Sequence, residues 1–280
     1  MQKITAISLW FISIIFLLSC SKGNGNSTGN ETPDKPYTIS GIIKDVAGNP
    51  VSGARIRVEN PTGNNIHYTT TSNEAGRYSV TVSAIGGYKI YAWREVEFNN
   101  EVYQIRLGME ADADYNAFNV PTGGIVKNFV WKISGRIPDR TVSKENGTGY
   151  FGGTIKFINY NSITNEMPAG TQVTIKLTPH TGARYLDGTS STGKVVEKTF
   201  TIHNGVGQAY YINDIPATHY KITATSVLNG VNKNVSIGSG TPDVFNISGD
   251  HYFKSEGGSG TLESGLGSPN EYSFYLMQSR

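Results

Sequence analysis

From residue 37 the chain runs as short stretches of alternating apolar and polar residues, each closed by turn-forming groups. Residues 37–43 (YTISGII), 54–59 (ARIRVE), 67–71 (HYTTT), 77–82 (RYSVTV), 88–98 and 102–107 follow this rule, with turn chemistry at 45–50 (DVAGNP) and 73–76 (NEAG). A period of two places successive side chains on opposite faces of a strand, so each run can bury one face and wet the other. Such runs, spaced roughly eight to twelve residues apart, are the pattern of a β-sandwich. Only 16% of the chain is charged, whereas Gly occurs 33 times and Tyr 16 times. Turns and aromatic strands use that composition; long charged helical faces do not.

The pattern resumes after a stretch at 109–127 that holds Asp112, Asp114, Pro121, Gly123 and Gly124 and reads as a connector. Three segments then echo the first half in the same order. Residues 133–137 (ISGRI) resemble 39–43 (ISGII), 153–157 (GTIKF) resemble 53–57 (GARIR), and 219–224 (HYKITA) resemble 87–92 (GYKIYA). Further strands are expected at 171–177, at 208–216 and, closing the sheet, at 271–276, with a hairpin-type turn at 186–189 (LDGT) and a Gly-rich loop over 257–267. A length of 280 residues suits about two domains, each large enough to bury its own core.

In the first half, the succession Ile39-Ser40-Gly41-Ile42-Ile43, Gly48-Asn49-Pro50-Val51-Ser52-Gly53-Ala54-Arg55-Ile56 and Thr71-Ser72-Asn73-Glu74-Ala75-Gly76-Arg77-Tyr78-Ser79-Val80 resembles the carboxypeptidase regulatory-like domain. The resemblance covers roughly residues 37–108 and implies a transthyretin-like sandwich. In peptidases that module is an accessory without catalytic residues, and in bacterial envelopes it recurs on lipoproteins and outer-membrane receptors. The fold class expected for the whole chain is therefore all-β, two consecutive β-sandwich domains of immunoglobulin- or transthyretin-like type.

Residues 1–20 carry one positive charge at Lys3, an apolar run over 4–18 and Ser19-Cys20. The run is too short to span a bilayer comfortably and has the layout of a secretory signal. Leu17-Leu18-Ser19-Cys20 resembles the bacterial lipobox, which implies cleavage before Cys20 and acylation of its thiol. Cys20 is the single cysteine of the chain, so the mature protein would hold neither a disulfide nor a free thiol. Residues 21–36 (SKGNGNSTGNETPDKP) lack any apolar period and read as a flexible tether with an end-to-end distance of roughly 20 Å. The resulting organisation is a signal peptide at 1–19, lipidated Cys20 and tether at 20–36, a regulatory-like sandwich at 37–108, a connector at 109–127 and a second sandwich at 128–280. The expected location is the outer membrane, facing either the periplasm or the exterior.

Charge and motif spacing exclude several function classes. Basic residues number 24 and acidic residues 22, and loss of Lys3 with the leader brings the balance closer to neutral. No basic cluster exists to bind nucleic acid, so membrane lipid reached through acylated Cys20 is the expected partner. Gly147-Thr148-Gly149-Tyr150-Phe151-Gly152 matches a dinucleotide fingerprint in letters, but a strand pattern follows where a helix is required. Asp112-Ala113-Asp114-Tyr115-Asn116 opens like a calcium loop, yet Ala117 and Gly123 stand where Gly and Glu are needed. The histidines at 67, 180, 203, 219 and 251 show no metal-ligand spacing. No metal, cofactor or catalytic residue is therefore expected.

Aromatic placement supplies the remaining lead. If Tyr88, Ile90 and Ala92 face the core, Tyr91 and Trp93 share the opposite face, where they can stack on a sugar ring, seat an envelope protein or pack under a covering segment. The functional expectation is a non-enzymatic, lipid-anchored structural or ligand-presenting module; its sharper version is a glycan site at Tyr91 and Trp93, against the default that the pair packs under the second domain or a covering loop. The alternatives are a catalytic or accessory component of polysaccharide or peptide hydrolysis, and a partner subunit of an outer-membrane transporter.

Overall fold

The computed structural model describes residues 35–63, 66–160, 166–203, 207–239, 244–256 and 265–278. The leader, Cys20, most of the tether and most of the Gly-rich loop lie outside the described residues.

The first sheet contains β1 (Thr38–Lys44), β2 (Arg55–Glu59), β3 (His67–Thr71), β4 (Arg77–Thr81), β5 (Lys89–Phe98), β6 (Glu101–Met109), β7 (Ile125–Val126) and β8 (Phe129–Val130). Its hydrogen-bonded order is β3-β2-β5-β6-β8-β1-β4, with β7 added alongside β1. The path curls until β3 lies near β4. Inside it, Ile39, Ile43, Ile56, Val58, Ala92, Tyr103 and Leu107 are almost wholly buried, which is the face that the period-two pattern assigns inward.

The segment expected to be a connector completes this sheet. After a 3-10 turn at Asp112–Tyr115, β7 and β8 return to run parallel to β1. That return requires Gly41, because a Cβ there would stand 1.9 Å from the carbonyl oxygen of Lys127. The same carbonyl accepts the hydroxyl of buried Tyr78, the cross-strand partner of Gly41. Asp114 accepts a hydrogen bond from the buried Lys127 ammonium at 2.6 Å, so its carboxylate is engaged by this chain.

The second sheet contains β9 (Gly153–Asn159), β10 (Gln172–Pro179), β11 (Val196–Thr201), β12 (Ala209–Ile215), β13 (Tyr220–Leu228), β14 (Val231–Ser239), β15 (Phe245–Asn246), β16 (Gly249–His251) and β17 (Ser273–Gln278). Its order, β11-β10-β13-β14-β17-β9-β12, repeats the first sheet strand for strand. Even the parallel pair recurs, as β8 on β1 and β17 on β9. Register is kept as well: Ile56 opposes Ala92 as Ile175 opposes Ala224, and Val58 opposes Ile90 as Leu177 opposes Ile222. Tyr88 and Tyr220, both almost fully buried, each donate the hydroxyl to a carbonyl a few residues back, that of Ser83 and that of Pro216.

The repeat therefore exists, but two of the three sequence echoes are displaced. Residues 219–224 do match 87–92. Residues 153–157, however, occupy the place of β1 rather than β2, and 133–137 form a bend with one isolated bridge, Arg136 to Tyr150. Five-residue alternating motifs resemble one another whatever strand they form; only the pairing partner fixes which strand each one is. The 147–152 segment is a turn, with Gly147 at φ 70° and Gly149 at φ 90°, and it feeds β9 rather than a helix.

Candidate binding face on the first sheet

Strand pairing aligns the outward side chains of β3, β2, β5 and β6 into rows. Thr71, Arg55, Trp93 and Arg106 form one, since Arg55 opposes both Thr71 and Trp93, and Trp93 opposes Arg106. Thr69, Arg57 and Tyr91 form the next. Tyr91 and Trp93 do share a face, with ring centroids 6.2 Å apart and planes tilted by 36°.

Their environments differ. Tyr91 is 4% exposed, with the Arg106 guanidinium 5.3 Å over its ring. Arg106 is itself buried and donates to Asp139 at 2.8 Å, from the segment that follows β8. Burial, together with the carboxylates of Glu59 and Asp139, pushes the Tyr91 phenol up to about 12. This lid of Arg106 and Asp139 closes Tyr91 to a sugar-sized ligand and makes it a supporting residue. Trp93, only partly buried, remains in an open groove of about 510 Å³.

The groove is lined by Thr69, Thr71 and Gln104, and by the guanidinium of Arg55 paired with Glu95 at 3.0 Å. Arg57 pairs with Glu59 at 3.3 Å. Each of these guanidiniums has a carboxylate beside it, so the face offers donors and acceptors with little net charge. Its volume falls in the range of small-molecule sites. The lining polar residues carry no sequence motif; their only signal is the outward position they share with Trp93 across paired strands.

Residues 38–118 match the family profile of the carboxypeptidase regulatory-like domain. Those residues are a regulatory-like domain, and β7 and β8 of the first sheet lie beyond the match. Its groove lies on β2, β3, β5 and β6, all within the matched residues. In the second sheet, which repeats the domain's strand order, Thr225 stands in the place of Trp93 and Thr223 in that of Tyr91, while Thr174 and Thr199 replace Arg55 and Thr71. Among the described residues, the equivalent face of the second sheet thus lacks the aromatic pair.

Among solved structures, the chain is similar to the Bacillus anthracis TIE protein (14% identity, TM-score 0.31, covering 79% of this chain and 32% of that one). It is also similar to GBS52, the minor pilin of Streptococcus agalactiae (12%, 0.25, 77% and 90%). A DUF3823 family protein from Bacteroides uniformis is a third (9%, 0.22, 78% and 99%). The chain spans about a third of the length of the first of these. No curated protein matches it in sequence.

Proposed function

We propose that the chain is a lipid-anchored, non-catalytic module of the bacterial cell envelope that holds a neutral glycan in the Trp93 groove of its regulatory-like domain. One observation carries this reading: a partly buried indole in a groove whose arginines are already matched by carboxylates. The apolar face of a pyranose packs on an aromatic ring, and its hydroxyls hydrogen-bond to fixed polar groups at the edge. Arg55 and Glu95 supply a donor and an acceptor side by side, with Thr69, Thr71 and Gln104 around them. An anionic polymer would call for unpaired cations, which the groove does not offer.

Binding rather than hydrolysis is favoured by the carboxylate inventory. Among the described residues, Glu95 is the one carboxylate lining the groove, and it is paired with Arg55; glycoside hydrolysis uses two carboxyl groups flanking the bond. Attachment through Cys20 rests on the leader and lipobox-like residues 17–20.

Affinity electrophoresis of the full-length protein through gels containing neutral polysaccharides tests the reading. The expected result is retardation by at least one polymer, weakened about 30-fold in Trp93→Ala, as for a buried aromatic anchor. Equal migration of wild type and variant in every gel would remove the groove from the account.

A further inference from the structure

Three side chains on the second sheet converge without any sequence motif. Antiparallel pairing of β10 with β13 sets Pro179 opposite Tyr220, which brings His180 beside His219, and the His180 amide donates to the His219 carbonyl. β16 pairs along the other edge of β13 and puts Asp250 opposite Lys221, on the face that His219 also occupies. The imidazoles stack with centroids 4.0 Å apart. Asp250 Oδ1 lies 2.7 Å from His180 Nε2 and 3.9 Å from His219 Nε2.

We infer that His180, His219 and Asp250 form a binding site for a divalent transition metal of the zinc class, independent of the glycan groove. The ligand atoms of the three residues all lie within 4.8 Å of one another. A tetrahedral zinc with bonds of about 2.0–2.2 Å holds its ligand atoms roughly 3.4 Å apart, a value bracketed by the two distances to Asp250. Two imidazoles with one carboxylate suit zinc, nickel or copper rather than calcium or magnesium, which prefer oxygen donors.

Both rings must be neutral to ligate. All three side chains are substantially solvent-accessible, so the rings can open from their 24° stack around an ion and leave its fourth position to water or to a donor from a partner. Tyr252 stands edge-on to His219, with ring centroids 6.2 Å apart. Lys221 is the cross-strand neighbour of Asp250, so a positive charge shares the face of the site and opposes cation binding. Since the ligands come from the residue after β10, the residue before β13 and the three-residue β16, a bound ion would fasten β16 to the sheet.

The test is isothermal titration of tag-free, chelator-stripped full-length protein with zinc chloride, with circular dichroism to verify folding of each variant. Saturable one-to-one binding is expected. His180→Ala, His219→Ala and the near-isosteric Asp250→Asn should each weaken it by roughly 10-fold or more, Lys221→Ala should tighten it, and His67→Ala should leave it unchanged. Absence of saturable binding at submillimolar zinc, or unchanged affinity in the folded Asp250→Asn and His180→Ala proteins, overturns the assignment.

Discussion

His251 shows how one residue can set the acid limit of this protein. It is 4% exposed and sits edge-on to the rings of Phe253, Tyr272 and Phe274, with no hydrogen-bond partner at Nε2. Burial, with a smaller contribution from His219, pulls its imidazole from 6.5 down to about 3. The unfolded chain therefore takes up a proton near pH 6.5 that the folded chain refuses until about pH 3. The stability this represents is complete above pH 6.5 and is lost as pH falls through that window, by up to about 1.4 kcal/mol per pH unit. Denaturant unfolding of wild type against His251→Leu between pH 6.5 and 4.5 should show the wild-type curve falling more steeply. Parallel curves would contradict the assignment.

Between elements, the segment after β8 is held to the first sheet by the Arg106–Asp139 pair, with side chains 2% and 7% exposed. Removing one partner of a buried pair leaves the other charge poorly compensated, at a cost of about 3–5 kcal/mol. Asp139→Asn should lower unfolding free energy by about 3 kcal/mol and uncover Tyr91; a change under about 0.5 kcal/mol would show that the pair contributes little. The same contact marks the limit of what sequence could tell at this scale. Alternation on β5 places Tyr91 and Trp93 on one face, and they are there. Nothing local distinguishes the one that Arg106 and Asp139 cover from the one left open, because Asp139 is far along the chain. His180, His219 and Asp250 likewise meet only through the pairing of three strands. Among the strands, β1 to β6 could be read because their alternation is regular and bounded by turns. β7 and β8 are two residues each, and β14 opens with Val-Asn-Lys-Asn, too polar to announce a strand.

Over the whole molecule, the described residues are two copies of one strand order, sharing a continuous buried cluster that runs from Ile39 to Leu276. The copies differ on the outer face: aromatic and arginine-rich in the first, threonine-rich in the second, with a histidine pair just after β10 and just before β13. The proposed tether of residues 20–36 would hold both just off a bilayer. Cys20→Ser should move the protein from the detergent-extracted membrane fraction to the soluble one, and equal partitioning of wild type and variant would contradict lipid anchoring.

Trp93 itself offers the most direct measurement. Of the three tryptophans, Trp10 lies in the leader, Trp131 is buried and Trp93 lines the groove, so a protein starting at residue 20 with Trp131→Phe carries Trp93 as its single indole. Titrating that protein with oligosaccharide from a polymer that retards it should shift the Trp93 emission saturably, with the affinity that retardation gives. Retardation with no change in Trp93 emission would place the glycan elsewhere and contradict the account.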